Sequence, residues 1–528
     1  MKPNILLILN DDMGYSDLGC YGGEAKTPNL DRLAAGGLRY TQFYNTARCC
    51  PSRTSLLTGL YPHQADVGHM MNNDDIDGYL GNLSHNAVTI AEALKTGGYK
   101  TYMSGKWHVT HHVQDGEISN WPCQRGFDDF FGFLFGAANY YQPITLTRNN
   151  TPLDMADQPE DFFLTDAISD EAVRQLKEHA ADKADQPFFQ YVAYTAPHWP
   201  LHAHEEDIAK YKGRFDAGWD ELRKERLQRM IDIGLIRPDW PMSDRDVTVP
   251  PWEDAPHKEW EARRMEVYAA QLDRMDQGIG RILQTLEETG QMENTLIVFL
   301  ADNGGCAEEM DENSLDFFGG RSATLTTRDG KRVRCGNRPE VVPGPEDTYA
   351  SYGTSWANVS NTPFRYYKHW VHEGGIATPL IMHWPEGIAG RGELRHQAAQ
   401  LPDIMATFMA LSGTAYPAQY EGREIKPLEG VPMVPTFEDA PHGREVLYWE
   451  HEGNRAVRKG KWKLVSRYPG DWELYDMEAC RTETRDLADV HPEIVQELTS
   501  LYTQWADRIQ VKPWNELCKM RDEKAANS

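Results

Sequence analysis

The window Ala47-Arg48-Cys49-Cys50-Pro51-Ser52-Arg53-Thr54-Ser55-Leu56-Leu57-Thr58-Gly59 sets thiols, a proline, an arginine and a glycine at the spacing of one short helix. Pro51 suits the first turn of that helix and Gly59 its end. Cys49 then stands at a helix N-terminus, where free backbone N–H groups and the dipole favour an anion. Arg53, one turn further on, can aim its fork of donors at the same point, a shape suited to an oxyanion. On these residues alone Cys49 is open to two readings, a reactive thiol or a buried structural one.

Four other groups of chemically capable residues follow short apolar runs. Ile5–Leu9 leads into Asp11-Asp12, and Leu296–Leu300 into Asp302-Asn303-Gly304-Gly305. Lys100–Ser104 leads to Lys106-Trp107-His108, and Phe188–Thr195 to Pro197-His198. Each run reads as a buried strand. In an open parallel sheet, ligands bind beyond the carboxyl ends of the strands. Two acidic and two basic clusters are therefore expected along one edge. Asp11, Asp12, Asp302 and Asn303 are hard oxygen donors, suited to Ca²⁺ or Mg²⁺ rather than zinc.

The elements that must hold these residues alternate strand and helix over the first two-thirds of the chain, the pattern of a parallel sheet with crossover helices. Ala87–Gly97 reads as a helix closed by Gly97-Gly98. Glu261–Glu288 places Met265, Tyr268, Leu272, Met275, Ile279, Ile282 and Leu286 at steps of three and four, a core-facing helical stripe. The charged, Trp-rich stretch Glu205–Arg264 reads as a mostly helical surface excursion, and Gly319–Thr362 as a long ordered loop. Pro402–Ser412 reads as the last helix of the main unit. Beyond a passage rich in Pro, Gly and Glu, Arg455–Ser466 and Glu473–Tyr475 read as antiparallel strands and Pro492–Asp507 as a helix. The expected division is 1–415, carrying the site, and 416–528, a smaller α+β unit.

Composition narrows the function. With 80 Asp and Glu against 54 Lys and Arg, the formal net charge of the 528-residue chain is −26. That disfavours nucleic acid and anionic membrane surfaces as partners. The eight cysteines include no C-x-x-C pair, so structural zinc and dithiol redox motifs are unsupported. The first apolar run passes straight into Asn10-Asp11-Asp12 rather than a cleavage site, and no stretch approaches the roughly 20 apolar residues of a membrane span. A soluble, cytoplasmic protein is the expectation.

The motif C-x-P-S-R, followed after four residues by T-G, resembles the signature of the type I sulfatases. Other motifs resemble the same family in the right order: Asn10-Asp11-Asp12-Met13-Gly14, Gly105-Lys106-Trp107-His108, Ala196-Pro197-His198, Asp302-Asn303-Gly304-Gly305, and Lys368 ahead of His372-Glu373-Gly374-Gly375. Arg455–Leu464 and Glu473-Leu474-Tyr475-Asp476 resemble its C-terminal strands. The resemblance implies an α/β fold of alkaline-phosphatase-like type: a mixed, mostly parallel central sheet flanked by helices, with a smaller antiparallel C-terminal sheet. It implies that a formylglycine-generating enzyme converts Cys49 to formylglycine, whose hydrate is the nucleophile, while Cys50 stays a thiol. It implies one Ca²⁺ held by Asp11, Asp12, Asp302, Asn303 and residue 49. Arg53 would support the nucleophile, and Lys106 would bridge it to the sulfate. His198 and Lys368 would sit on the leaving-group oxygen of a small sulfate ester, with His198 the proton donor. His108 would take a proton from the second hydroxyl and so expel sulfate by elimination from the sulfated enzyme. An aldehyde hydrate suits this cycle because sulfate on a plain alcohol would need a second hydrolysis.

Several residues keep both a site reading and a packing one. They are His111, His112, His202 and His204, which lie near the motifs in sequence, and Tyr140, Tyr141 and Trp356, which could wall a pocket. His63 is expected to support the nucleophile helix. Substrate choice is expected in the loops at about Ala137–Asn150 and Gly319–Thr362. Two competing functions remain: a phosphonate monoester or phosphodiester hydrolase using the same site, and a non-catalytic sulfate-binding protein with unmodified Cys49.

Overall fold

The computed structural model describes residues 2–183, 185–317 and 322–527. Strict alternation in the first strand sets the architecture. Along Asn4–Asn10, Leu6 and Ile8 enter one apolar cluster while Ile5, Leu7 and Leu9 enter another. Thr295–Ala301 divides in the same way, with Ile297 and Phe299 on one face and Leu296, Val298 and Leu300 on the other. A strand buried on both faces reads as a continuous apolar run and demands cover on both sides. Each fully buried Leu or Ile contributes roughly 1.5–3 kcal/mol, so these strands anchor the sheet between two cores.

Among the described residues the sheet has 11 strands. Its centre runs Leu38–Tyr44, Ala377–His383, Thr295–Ala301, Asn4–Asn10, Phe188–Ala193, Lys100–Lys106 and Asp129–Phe133. The pairs from Thr295–Ala301 across to Asp129–Phe133 are parallel; Ala377–His383 is antiparallel to both neighbours. A mixed, mostly parallel sheet flanked by helices, with a second antiparallel sheet near the C-terminus, is the alkaline-phosphatase-like architecture. No helix among the described residues is long and apolar enough to cross a membrane.

The helix Lys258–Glu288 buries the expected stripe, from Met265 through Leu286, in one core. The helix expected over Ala87–Gly97 spans Ile90–Thr96. A capping box sets its later start: Thr89 Oγ1 accepts from Glu92 N–H at 3.0 Å and Glu92 Oε2 accepts from Thr89 N–H at 2.7 Å.

Two expectations need correction. The Trp-rich stretch Glu205–Arg264 is not a surface excursion: Phe215, Trp219, Leu222 and Met230 lie in the main core. Its charges are also enlisted. Arg226, on the helix Gly218–Asp232, is buried between Asp17 Oδ1 at 2.7 Å and Glu24 Oε2 at 2.6 Å. Asp17 in turn accepts from Gly14 N–H at 2.9 Å and from the Tyr268 hydroxyl at 2.7 Å, which braces the loop after the first strand. Arg226→Ala removes the ion-pair partner of buried Asp17 and leaves Glu24 only Arg229 and the more distant Arg214, and should cost about 3–5 kcal/mol, measured by urea unfolding. A change within 1 kcal/mol would show the brace to be dispensable. The long loop also contains structure: short strands at Arg334–Cys335 and Thr348–Tyr349, and the helix Gly353–Ser360, pinned by buried Trp356, Ala357 and Val359. Gly319, at its start, lies outside the described residues.

The C-terminal sheet runs Val446–His451, Asn454–Lys459, Trp462–Ser466, Glu473–Asp476, all antiparallel, with the helix Pro492–Arg508 packed on it. The stretch expected as Arg455–Ser466 is thus two strands, separated at Gly460, whose φ of +57° makes the turn. The sheet docks on the main body through buried charge. Glu373 meets Lys463 Nζ at 2.9 Å and Arg481 Nε at 2.8 Å, and accepts from the Tyr44 hydroxyl at 3.0 Å. Lys463 also meets Glu483 at 2.7 Å.

Candidate active site

The four central parallel strands end on one edge, and the chemically capable residues follow their last residues. Asp11 and Asp12 come from the first strand, Lys106 and His108 from Lys100–Lys106, His198 from Phe188–Ala193, and Asp302 and Asn303 from Thr295–Ala301. Asp12, Ala47 and His108 hold left-handed backbone, with φ of 65°, 67° and 55°. Non-glycine residues in that region signal strain that the surrounding packing must hold. Two glycines make room. A Cβ on Gly105 would fall 2.0 Å from the Ala193 carbonyl oxygen, and one on Gly136 would fall 2.3 Å from His108 Nε2.

Cys49 is the first residue of the helix Cys49–Thr58, which Gly59 closes in left-handed conformation; every residue of that helix is buried. Arg53, fully buried, donates from Nη2 to Asp302 Oδ2 at 3.0 Å, lies 3.5 Å from Asp11 Oδ2, and reaches the Lys106 carbonyl at 3.2 Å. Lys106 Nζ is 2.5 Å from Asp11 Oδ2. Lys368 Nζ is 2.9 Å from Asp12 Oδ1 and 3.4 Å from His198 Nε2. His198 Nδ1 is 2.6 Å from the Trp199 carbonyl, which fixes its proton there and leaves the Nε2 lone pair facing Lys368. Every residue assigned from the motifs belongs to this cluster.

Electrostatics follow from burial and crowding. The Cys49 thiol is drawn well below its ordinary value, first by a hydrogen bond from Cys50 and then, against burial, by nearby basic groups, the Lys106 and Lys368 ammoniums among them. Burial pushes His108 down to about 4, so its imidazole is neutral at pH 7. Burial and the like charge of Asp11 push Asp302 well up. Against burial, Asp12 keeps the Lys368 ammonium charged. Asp11 Oδ1 and Asn303 Oδ1 are buried with no hydrogen-bond partner. Oxygens left bare beside a carboxylate that resists ionisation fit a hard divalent cation. Asp11, Asp12 and His198 form one group of mutually close ligand atoms, and Cys49, Cys50 and His108 another.

Cys49, His108, His198 and Lys368 open onto a cavity of about 510 Å³, walled also by Arg48, Met70, Phe135, Trp199 and Glu308–Ser314. Arg48 and Glu308 pair across it at 2.9 Å. The aromatic wall is therefore Phe135 and Trp199, not Tyr140, Tyr141 or Trp356. Tyr140 instead donates to the His198 carbonyl at 2.8 Å, Tyr141 to that of Ala203 at 3.2 Å, and Trp356 to that of Glu261 at 2.8 Å. His202 is held by the Thr348 carbonyl at 2.7 Å, His111 by that of Gly81 at 3.1 Å, His112 by Asp115 at 2.6 Å, and His204 packs on Phe163. His63 pairs with Glu450 of the C-terminal sheet at 2.8 Å. Of the two expected specificity loops, Ala137–Asn150 contributes Ala137, while the second contribution comes from Glu308–Ser314, upstream of Gly319. Glu308, three residues after Gly305, and Arg48, beside Cys49, were missed; their nearness to the motifs was the available signal.

A mostly parallel sheet with a nucleophile-bearing helix, bare oxygens and buried cations at one edge defines a hydrolase of anionic esters. The Sulfatase family model matches residues 3–414, and the model for the C-terminal part of N-sulphoglucosamine sulphohydrolase matches 364–508. An uncharacterized sulfatase of Schizosaccharomyces pombe is 32% identical, covering 94% of this chain and 92% of its own. An arylsulfatase of Klebsiella aerogenes is also 32% identical, over 82% of this chain and 91% of its own. The crystal structure of Ps i-CgsB matches with a TM-score of 0.67 at 25% identity, over 96% of this chain and 93% of that one; its complex with k-i-k-neocarrahexaose gives 0.66 at 24% over the same shares. The chain belongs to the sulfatase family and is a sulfuric ester hydrolase.

Proposed function

We propose that the protein hydrolyses sulfate monoesters of the arylsulfatase type, with Cys49 converted to formylglycine as nucleophile and one Ca²⁺ bound by Asp11, Asp12, Asp302, Asn303 and residue 49. The observation that carries this reading is the position of Cys49, first in a buried helix and open to the 510 Å³ cavity, with His108, His198 and Lys368 on the same wall. When bound, the cation supplies charge that activates the nucleophile and polarises a sulfate oxygen.

The chain's own residues supply the rest. A sulfate monoester anion repels nucleophiles, and Arg53, Lys106 and Lys368 offset that charge in a site where water no longer screens them. His108, neutral at working pH, accepts a proton from a hydroxyl on residue 49. The His198–Lys368 pair, 3.4 Å apart, delivers a proton to the leaving-group oxygen: His198 Nε2 is the bare nitrogen and Lys368 the charged donor beside it. Phe135 and Trp199 flank the leaving group, and a cavity of this size suits an aryl ring or one sugar residue. The Klebsiella relative's description as an arylsulfatase and the k-i-k-neocarrahexaose in the Ps i-CgsB complex support both kinds of leaving group. All these residues fall within 1–415, which we take as the catalytic unit, with 416–528 as the smaller one.

The test compares kcat/KM for an aryl sulfate with that for a matched aryl phosphonate monoester, in protein co-produced with a formylglycine-generating enzyme and supplied with Ca²⁺. A ratio well above one is expected. A ratio well below one would transfer the function to phosphonate or phosphodiester hydrolysis, and an unconverted thiol at residue 49 by mass spectrometry would remove the nucleophile assignment.

A further inference from the structure

Where the loop before Cys49 meets the C-terminal sheet, four side chains that the proposed chemistry does not use come together: His69, His369, His451 and Glu452. One nitrogen each of His369 and His451 and a Glu452 carboxylate oxygen all lie within 4.8 Å of one another. Glu452 Oε2 is 3.1 Å from His369 Nδ1; Glu452 Oε1 is 3.0 Å from His69 Nδ1 and 3.6 Å from His451 Nε2.

Ordinary packing does not account for this group. His451 is fully buried, yet neither of its ring nitrogens makes a hydrogen bond; the Nδ1 of His69, 8% exposed, has only the Glu452 carboxylate beside it, at 3.0 Å. Buried imidazole nitrogens without partners are costly and call for a ligand. The backbone carries strain here too, with φ of 93° at His369 and 51° at Glu452, neither of them glycine. His369 is tied to the nucleophile loop by its N–H, which donates to the Ala47 carbonyl at 2.7 Å. Its side chain stays partly open to solvent, which gives an ion a way in.

The geometry points to a second metal site, distinct from the oxygen-rich one, in which His369, His451 and Glu452 hold a zinc-class divalent cation and His69, 3.0 Å from Glu452, closes in as the fourth ligand. Three imidazoles and one carboxylate are a tetrahedral zinc set, whereas a hard cation such as Ca²⁺ prefers oxygen alone. With metal–ligand bonds of about 2.0–2.1 Å, the edges of such a tetrahedron are about 3.3 Å. The Glu452 Oε1–His69 Nδ1 and Glu452 Oε2–His369 Nδ1 separations, one to each oxygen of the carboxylate, are already near that length. The ligands come from three distant parts of the chain, so the ion would clamp the C-terminal hairpin to the loop that presents Cys49.

The test uses the full chain, stripped of metal by chelation, resupplied with Ca²⁺, and titrated with Zn²⁺ by calorimetry and with Co²⁺ by visible absorption. One equivalent of Zn²⁺ binding below micromolar is expected, with the intense visible bands of tetrahedral Co²⁺. His451→Gln and Glu452→Gln should each weaken Zn²⁺ binding by roughly 100-fold or more, while Cys49→Ala leaves it unchanged. His69→Gln, at a less buried position, gives the same reading should His451→Gln fail to fold. Absence of sub-micromolar binding overturns the proposal. So does Zn²⁺ that survives the His451, Glu452 and His69 substitutions but is lost with Cys49→Ala, which would place it on the Cys49–Cys50–His108 cluster.

Discussion

Cys49→Ala lowers aryl sulfate turnover by a factor on the order of 10⁵ or more and leaves the fold in place. The size of the loss follows from the absence of a substitute: Cys50, the nearest thiol, is fully buried and pushed well above its ordinary value by burial and by Cys49. The fold survives because the change removes one sulfur from a cavity wall, and the helix is held by Arg53 and by the left-handed close at Gly59. Initial rates on an aryl sulfate and a thermal melt decide the matter. Residual activity within 100-fold of the wild type would mean that another group attacks.

Glu373→Gln should destabilise the protein by about 3 kcal/mol at neutral pH, read from urea unfolding. Against burial, Lys463, Arg481 and Arg458 hold the Glu373 carboxyl down to about 2, from an ordinary 4.5. A carboxyl depressed in the folded state gives stability that is fully present above its unfolded value and lost as pH falls toward its folded one. The difference between wild type and Glu373→Gln should therefore be constant above about pH 5 and shrink between about pH 4.5 and pH 2. A difference that does not change over that window would show that the network's charge contributes nothing to docking the C-terminal sheet.

The motif residues were legible because each follows a strand that shows itself as an apolar run, and a parallel sheet sends every such run to the same edge. Asp11, Lys106, His198 and Asp302 could be placed together without knowing the order of the strands. The strand Val446–His451 was not legible. Leu447 and Trp449 face the main core while Val446 and Tyr448 pack under the C-terminal helix, so the polar alternation that marks a half-exposed strand is missing. Composition misled at Glu205–Arg264, where charge suggested solvent but Arg226 is buried between two carboxylates. The pocket wall was hidden for another reason: Arg48, Trp199 and Glu308 acquire meaning only through tertiary closeness, which no local spacing encodes.

If Cys49 is converted as proposed, the position of Ala377–His383 in the sheet sets a clock on that conversion. This strand lies between Leu38–Tyr44 and Thr295–Ala301, so the segment ending just before Cys49 cannot take its final place until residues made much later have arrived. In the finished fold Cys49 is only 3% exposed, too little for another enzyme to grip it. Ribosomal synthesis at about 5–20 residues per second leaves on the order of tens of seconds between the emergence of Cys49 and that of Ala377. During that interval the thiol is on an open chain, and the proposed oxidation to formylglycine would compete with strand insertion. Slower elongation downstream of Gly59 would raise the converted fraction of the enzyme without altering a single residue.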